Sequence, residues 1–380
     1  MKIKKKICVV TAQPATVKAF LMEHIVQLSS LYDVTVVTNL SSEDFDVLPS
    51  CVTVKSIAIH RDINLWSDFK ALIALWIFFK AQHFDLTLSV TPKAGLLTSI
   101  SAVLSGVPIR LHWFTGQVWV TKTGLKRLIL KSFDKLLAFC ITDALVDSGS
   151  QFDFLIKENV LKKNKGEVLG EGSICGVNIE RFKFNQQSHD EYRAKLKLTS
   201  ENKVLLFLGR LNKDKGVFDL VEAFNQIENL NNNVHLVLVG PDEQNVKQAL
   251  EAANQTNTNI HFVGGTSAPE KWLSIADVFC LPSYREGFGS SVIEAAAAGV
   301  PSVASRIYGL TDAVVENETG LMHQAANIEQ LVDTLNSIIR DDISRKRMGK
   351  NAFKRAKESF NNLHVTHLLL QYLYQKLTKR

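Results

Sequence analysis

The stretch Ser283-Tyr284-Arg285-Glu286-Gly287-Phe288-Gly289-Ser290-Ser291-Val292-Ile293-Glu294 decides the fold of this chain, because strand, loop and helix signals follow one another there. The apolar run Val278–Leu281 precedes it at strand length, and Pro282 ends that run. Gly287 and Gly289 permit positive φ and leave bare amides on the loop. We therefore predict a strand, a glycine loop and then a helix.

The helix start after this loop has the character of an anion site. Ser290 and Ser291 are good N-caps, and the alanine run behind them favours helix. Free N–H groups and the positive end of the helix dipole would then face a ligand. Glu286 on the loop and Glu294 inside the helix could accept hydrogen bonds from the hydroxyls of a sugar or ribose. The alternative is that Ser291-x-x-Glu294 is only a capping box, which would explain neither Glu286 nor the two glycines.

The whole run resembles the E-x7-E signature of the retaining glycosyltransferases of family 4. This resemblance implies the GT-B fold, in which two Rossmann-like parallel-sheet domains face a central cleft. It covers nearly the whole chain and is most specific from residue 209 to residue 320. A narrower similarity is to bacterial transferases that extend undecaprenyl-diphosphate-linked oligosaccharides for O-antigen, capsule or protein glycosylation, and it is carried by residues 91–95, 114–117 and 305–310.

The length of 380 residues is too great for one ordinary core and favours two domains. Short apolar runs alternate with helical patterns in both halves, which is typical of an α/β fold with parallel sheets. We expect an N-terminal acceptor-side domain over residues 1–175 and a C-terminal nucleotide-sugar domain over residues 180–360. The resemblance implies that the helix within residues 361–380 crosses back onto the first domain. Residues 182–197 are polar and look like a linker.

Composition restricts the cofactor and the partners. A formal net charge of +6 suits an anionic ligand or membrane surface, but it is too mild to identify either. The five cysteines are scattered without a C-x-x-C pair, which disfavours zinc. Asp44-Phe45-Asp46 has the D-x-D spacing with which GT-A enzymes hold a metal, but it lies in a polar loop and we interpret it as chance. We expect no metal, no cofactor and no nucleic-acid partner.

Breaking the glycosidic bond of a nucleotide sugar builds negative charge on the leaving phosphate, which a cation must stabilise. Arg210 and Lys215 could supply that charge, although a surface pair on a turn is the alternative. The resemblance implies that both bind the diphosphate, that Glu286 holds the donor sugar and that His112 contacts the sugar. By matching position it also implies further donor contacts in the second domain. Pro241 and Val263 would lie near the base, the amides of Gly287, Phe288 and Gly289 at the sugar, Ser290 and Ser291 at a phosphate, and Glu294 at the ribose. Gly209 is a further donor-binding candidate.

Loops at the carboxyl ends of the N-terminal strands are expected to face the acceptor, because ligands bind at that edge of a parallel sheet. After the first strand this chain has Gln13-Pro14-Ala15-Thr16 where many relatives have a glycine pair. For His112, at the end of the fifth strand, a satisfied core histidine is the alternative to a donor contact. The acceptor-side candidates are Thr16, Thr91, Lys93, Thr115 and Gln117.

Two N-terminal segments could meet a membrane. Residues 70–80 are apolar all round but only about half as long as a membrane span, so packing against the sheet is the plainer interpretation. The alternative is an interfacial role for Trp66, Trp76 and Phe79. Residues 121–139 interleave five basic with six apolar residues, as in a helix on anionic headgroups, although ordinary surface helices share this pattern.

We therefore expect a metal-independent, retaining glycosyltransferase that moves a sugar from a UDP-sugar to a polyprenyl-diphosphate-linked saccharide. An N-acetylhexosamine is one candidate for that sugar. The enzyme would be cytoplasmic and peripheral on the inner face of the plasma membrane. Two other functions stay open, namely a GT-B sugar-nucleotide epimerase, which needs no acceptor, and a non-catalytic carbohydrate- or lipid-binding scaffold.

Overall fold

The computed structural model describes residues 4–40, 48–60, 62, 64–227 and 233–378 of the chain. The chain divides into two compact units. The first unit comprises Met1–Cys175 together with Asn362–Arg380, and the second comprises Gly176–Asn361. Each unit is built on a parallel sheet of its own.

The sheet of the first unit has seven strands within the described residues. They are β1 (Lys6–Val10), β2 (Asp33–Thr38), β3 (Thr53–Ser56), β4 (Leu86–Val90), β5 (Ile109–Phe114), β6 (Asp143–Val146) and β7 (Gly166–Glu167). Their order is β3-β2-β1-β4-β5-β6-β7, and all neighbouring pairs are parallel. The central strands β1 and β4 are buried along almost their whole length because both of their faces are covered.

Helices connect these strands in the order expected for an α/β sheet. They are α1 (Pro14–Thr16), α2 (Met22–Leu31), α3 (Leu65–Gln82), α4 (Pro92–Leu104), α5 (Gly124–Cys140) and α6 (Gly149–Lys157). A π-helical segment, Val17–Leu21, joins α1 to α2 where the sequence predicts a single helix. Helix α4 contacts both α3 and α5, so these three helices lie side by side on the sheet.

The second unit has six parallel strands within the described residues, namely β8 (Lys203–Leu208), β9 (Val234–Val239), β10 (Ile260–Gly264), β11 (Val278–Leu281), β12 (Ser302–Ser305) and β13 (Gly320–His323). Their order is β10-β9-β8-β11-β12-β13. The helices are α7 (Ile179–Phe182), α8 (Gln186–Lys195), α9 (Val217–Gln226), α10 (Val246–Ala252), α11 (Pro269–Leu273), α12 (Ser290–Ala297), α13 (Leu310–Ala313), α14 (Ile328–Arg340) and α15 (Asp342–Ser359). Because β8 and β11 are neighbours, the loops that follow them lie side by side at one edge of the sheet.

The linker predicted over residues 182–197 is wrong, because most of this segment forms helix α8. The Asn185 side chain caps the helix by accepting a hydrogen bond of 2.8 Å from the Ser188 amide. Buried Arg193 donates to the carbonyls of Thr199 and Asn202, at 2.6 Å each. The helix is so polar that it carries no apolar stripe, which is why hydrophobic periodicity did not reveal it.

The last helix, α16 (Asn362–Thr378), belongs to the first unit. It contacts α2, and Leu369 and Leu373 on it are fully buried in the same cluster as Ile7 and Val9 of β1. The Thr366 hydroxyl lies 2.8 Å from Nδ1 of buried His24. The intervening β1 side chains, Cys8 and Val10, pack on the opposite face in the cluster that includes residues of α3 and α4.

Candidate active site

The candidate donor site is built from the loops after β8 and β11. The Tyr284 amide donates to the Asp214 carbonyl at 2.9 Å, and the Arg285 guanidinium lies 3.2 Å from the Asp214 carboxylate. Gly216 has a φ of +68°, and a Cβ there would lie 2.0 Å from the Pro282 carbonyl oxygen. Only glycine therefore allows the two loops to approach this closely.

Lys215 and Glu286, both predicted site residues, meet at this junction. Nζ of Lys215 lies 2.5 Å from Oε1 of Glu286, and the Lys215 and Glu286 side chains are 19% and 11% exposed. The same oxygen accepts a hydrogen bond of 2.7 Å from the Ser283 hydroxyl. Lys215 and Glu286 are 71 residues apart in the sequence, and they meet because β8 and β11 are neighbours in the sheet.

Arg210, the third predicted charge of this site, has a different partner. Its Nη1 donates to both carboxylate oxygens of Glu243, at 3.1 and 2.9 Å. Asn212 joins this pair to the lysine, since its Nδ2 donates to Glu243 at 3.0 Å and its Oδ1 accepts from the Lys215 amide at 3.2 Å. Sequence reasoning missed Glu243, although it lies two residues after Pro241 in a turn that the β-strand pattern marks.

The residues expected near the base lie at the carboxyl ends of β8, β9 and β10. A Cβ on Gly240 would lie 1.8 Å from the Gly209 carbonyl oxygen, so these two backbones are in close contact. The Leu211 amide donates to the Pro241 carbonyl at 2.9 Å. Pro241 is exposed and Val263 is half-buried, so both have surface that a ligand could contact.

The glycine loop reaches α12 as predicted, but the cap differs. Gly289, with a φ of +86°, is the N-cap, and no side chain makes a capping hydrogen bond. The expectation that Ser290 and Ser291 cap the helix is wrong, and so is the capping box, because both serines lie inside the first turn. Glycine replaces them at the cap because the chain must turn through the left-handed region there.

The side chain of Phe288 does not face a ligand. It is buried and packs edge-on against Phe360, with ring centroids 5.1 Å apart. The loop is also held from its other side, because a Cβ on Gly309 would lie 2.5 Å from the Gly287 carbonyl oxygen. The side chain of Phe288 therefore belongs to the core, and the expected sugar contact of Gly287, Phe288 and Gly289 stays a prediction.

Glu294 lies in the second turn of α12 and is half-buried. Removal from water raises the pKa of its carboxyl to about 7, while nearby Arg181 lowers this pKa and Glu270 raises it. Arg181 itself donates to Glu270, through Nε at 3.0 Å and through Nη2 at 2.9 Å. Among the described residues, the Glu294 carboxyl makes no hydrogen bond, so its oxygens are available to a ligand. No sequence pattern pointed to Arg181.

His112 is buried in the first unit and lies inside β5, two residues before the strand ends, so the prediction that it stands at the strand end is wrong. Its Nδ1 lies 2.9 Å from the Ser89 hydroxyl, and its ring meets Phe114 edge-on at 4.6 Å. A Cβ on Gly95 would lie 2.3 Å from Cε1 of His112, so α4 packs directly on the imidazole. Burial lowers the pKa of His112 to about 3, which makes it neutral at physiological pH.

The acceptor-side candidates do not form one hydrogen-bonded group within the described chain. Lys93 lies 2.5 Å from the Asp68 carboxylate of α3, so its charge is already paired. Gln117 is buried and accepts from the Gln151 side chain at 3.2 Å. Thr91 precedes α4 with a φ of +75°, which is strained for a β-branched residue. Thr16 and Thr115 are half-buried.

The described residues offer neither a metal-ligand cluster nor a membrane-spanning helix. Asp44-Phe45-Asp46 lies outside the described residues. Within the part of the chain that the structure describes, no three histidine, cysteine, aspartate or glutamate side chains come together as metal ligands would. In that same part, every helix is too short or too polar to cross a membrane.

Comparison with known proteins identifies the family. Residues 188–355 match the family described as Glycosyl transferases group 1. The capsular polysaccharide biosynthesis glycosyltransferase CapM of Staphylococcus aureus is 32% identical over 309 residues, which cover 80% of each chain. The UDP-Gal:alpha-D-GlcNAc-diphosphoundecaprenol alpha-1,3-galactosyltransferase of Escherichia coli is 27% identical over 339 residues, which cover 87% of this chain and 86% of the relative.

The fold is shared with solved structures of lower identity. Anabaena HepE in complex with UDP aligns with a TM-score of 0.80 at 16% identity, covering 98% of this chain and 100% of HepE. The expected GT-B fold, with two Rossmann-like parallel-sheet domains, is confirmed. The chain belongs to the group 1 glycosyl transferases and is a glycosyltransferase.

The close approach of the two loops predicts that Gly216→Ala lowers the stability of the protein. The new Cβ would contact the Pro282 carbonyl and would require an unfavourable positive φ, so we expect the free energy of unfolding to fall by more than about 1 kcal/mol. Urea denaturation followed by circular dichroism measures this change. Gly265→Ala is the matched control, because a Cβ there meets no atom within 4 Å and φ is not in the left-handed region. Equal stability of the two variants would contradict the packing described here.

Proposed function

We propose that this glycosyltransferase transfers a sugar from a UDP-sugar to a polyprenyl-diphosphate-linked saccharide, with retention of configuration and without a metal. The observation that carries this proposal is the contact of Lys215 with Glu286 beside the glycine loop and the start of α12. This contact places a cation for phosphate and a carboxylate for sugar hydroxyls at one point. Such a pairing suits a ligand that joins a diphosphate to a sugar.

The leaving diphosphate would be stabilised by charges of the second unit. The Lys215 ammonium has three N–H donors, and Glu286 is its only hydrogen-bond partner among the described residues. The amides in the first turn of α12 add a second source of positive potential. Arg210 would reach the phosphates from its site beside Glu243. Together these groups would do what a bound cation does in metal-dependent transferases.

Glu286 would hold the donor sugar by hydrogen bonds, and the family resemblance implies a sugar contact for His112. A carboxylate paired to Lys215 is a good acceptor for hydroxyl protons. His112 is neutral at physiological pH, so it would act as a hydrogen-bonding group and not as a proton donor. Retention follows from the family resemblance, in which the acceptor attacks from the front face and the departing phosphate takes its proton.

The choice of donor and acceptor rests on the relatives. HepE is a structural neighbour that was solved with UDP. The Escherichia coli relative is named for a UDP-sugar donor and a diphosphoundecaprenol-linked acceptor. A lipid-linked acceptor would be presented at the surface of a membrane. We therefore place the enzyme on the inner face of the plasma membrane, where nucleotide sugars are available.

The surface that would meet this membrane is the outward side of α5. Six apolar residues of this helix are exposed, from Leu125 at 71% to Phe139 at 83%, with Leu128, Ile129, Phe133 and Leu136 between them, whereas Leu137 is buried in the core. Lys126 and Lys135 are exposed on the same helix. The N-terminal turn of α3 adds Leu65, Phe69 and Trp66, the last of which is 67% exposed. Exposed apolar residues flanked by lysines fit an anionic lipid surface.

Some of the residues first considered for this surface do not belong to it. Phe79 is buried in the core, so its predicted alternative as an interfacial residue is wrong. Arg127 and Lys131 point to Glu158, at 3.1 and 2.5 Å, and both lie 5.5 Å from the Trp119 ring. They anchor α5 to the rest of the unit, because the indole and the carboxylate lie on its inner side.

Replacement of the paired charges should abolish transfer. We expect Lys215→Ala and Glu286→Ala to lower kcat/KM by about 100-fold or more, because each removes a contact to the reacting part of the donor. UDP release would be measured with a panel of UDP-sugars and a synthetic polyprenyl-diphosphate-linked saccharide. Lys213→Ala, an exposed lysine of the same loop, is the control and should keep full activity. Wild-type turnover by Lys215→Ala or Glu286→Ala would remove this site assignment.

The raised pKa of Glu294 predicts that UDP binding weakens in acid. The ribose hydroxyls need the ionised carboxylate, and that form is depleted as the pH falls below the pKa of about 7. Affinity should therefore drop by about tenfold between pH 8 and pH 6, as measured by isothermal titration calorimetry. Glu294→Gln keeps the shape but does not titrate, so its profile should show only the titration of UDP itself. Parallel profiles for the two proteins would argue against ribose binding by Glu294.

The exposed face of α5 predicts binding to anionic vesicles. We expect Leu125→Ser with Phe139→Ser to weaken binding to phosphatidylglycerol-containing vesicles by about tenfold or more, since each removes a side chain that would enter the lipid. Flotation with purified protein measures bound and free fractions. Ile343→Ser is the control, because this residue of α15 is 84% exposed but lies on the second unit. If both proteins float equally well, α5 is not the membrane surface.

A further inference from the structure

Ser283 is a buried side chain at the candidate site to which neither the sequence nor the comparisons assign a role. It follows β11 and Pro282, and it is fully buried. Its hydroxyl donates a hydrogen bond of 2.7 Å to Oε1 of Glu286. A buried hydroxyl bound to a side chain of the donor site can affect how that side chain meets a ligand.

The two oxygens of Glu286 have different surroundings. Oε1 receives the Ser283 hydroxyl at 2.7 Å and the Lys215 ammonium at 2.5 Å. In the described part of the chain, Oε2 receives no hydrogen bond. Two donors on one oxygen fix the rotation of the carboxylate about its last bond, since each can be satisfied only while Oε1 faces them. The other oxygen is then the acceptor left for a ligand.

We propose that Ser283 is a positioning residue for glycosyl transfer, which orients the Glu286 carboxylate so that Oε2 accepts from the hydroxyls of the donor sugar. This inference rests on the proposed function, because it requires a sugar beside Glu286. The serine also occupies an acceptor position on Oε1 that the lysine would otherwise fill. The remaining N–H groups of Lys215 are thereby kept for the diphosphate.

A positioning role differs from a purely structural one in what each predicts for UDP and for a UDP-sugar. UDP lacks the transferred sugar that Glu286 would hold, so it should bind equally well without the serine hydroxyl. A UDP-sugar should bind less well, because a freely rotating carboxylate must be ordered on binding. Loss of loop structure would instead weaken both ligands together.

The test compares Ser283→Ala with two other variants. Ser283→Thr keeps the hydroxyl and should restore activity, although its extra methyl group must fit a buried site. Ser305→Ala is the matched control, since Ser305 is a fully buried serine at the end of the neighbouring strand β12 and its Oγ has no partner among the described residues. The probes are UDP and whichever of UDP-glucose, UDP-galactose, UDP-N-acetylglucosamine and UDP-N-acetylgalactosamine the wild-type enzyme binds most tightly.

For Ser283→Ala we expect the Kd for UDP to change by less than about twofold, and the Kd for the UDP-sugar and the kcat to worsen by about tenfold each. Ser305→Ala should match the wild type. If Ser283→Ala behaves like Ser305→Ala, or if it loses UDP and UDP-sugar affinity equally, Ser283 is not a positioning residue. If the wild-type protein binds no UDP-sugar, the proposed function fails first, which separates that failure from the failure of this inference.

Discussion

The site depends on one close contact, the approach of the loop after β8 to the loop after β11. This contact exists because β8 and β11 are neighbours in the sheet and because Gly216 has no side chain to separate Pro282 from the turn. A parallel sheet places the carboxyl ends of adjacent strands together, so a lysine and a glutamate distant in sequence become paired there. The α12 N-terminus is positioned by the same loop. Strand order and one glycine therefore determine where Lys215 and Glu286 meet.

The charged residues of the candidate site are paired with one another. Arg210 is paired with Glu243, Lys215 with Glu286, and Arg285 with Asp214. Because most of these side chains are partly exposed, solvent screens the pairs and each contributes little to stability. In the proposed function, a diphosphate would compete with Glu243 for Arg210, whereas Lys215 would keep its contact with Glu286 and use its other N–H groups.

The sequence revealed the parts of this site that have local signals. Apolar runs predicted β8 and β11, glycines predicted the loop, and the family motif identified Lys215 and Glu286 as site residues. Their side-by-side position was not visible in the sequence, because it depends on the order of strands. The partners Glu243, Asp68 and Arg181 were missed for the same reason, since no local pattern connects them to Arg210, Lys93 or Glu294. The capping prediction at Ser290 and Ser291 failed because residue type was given more weight than the backbone turn at Gly289.

Helix α5 shows that the direction of an amphipathic helix cannot be read from its composition. Most surface helices bury their apolar stripe, but the inner side of α5 also carries charged residues. Asp134 accepts a hydrogen bond of 2.7 Å from Trp119. Arg127 and Lys131 are paired with Glu158. Burial raises the pKa of Asp134 to about 6, which means that removing this carboxylate from water costs free energy. Leu137 and Ala138 are also buried on this inner side, whereas Leu125, Leu128 and Leu136 are exposed. The exposed apolar face is what the proposed function would use, since a lipid-linked acceptor would bring the enzyme to a membrane surface.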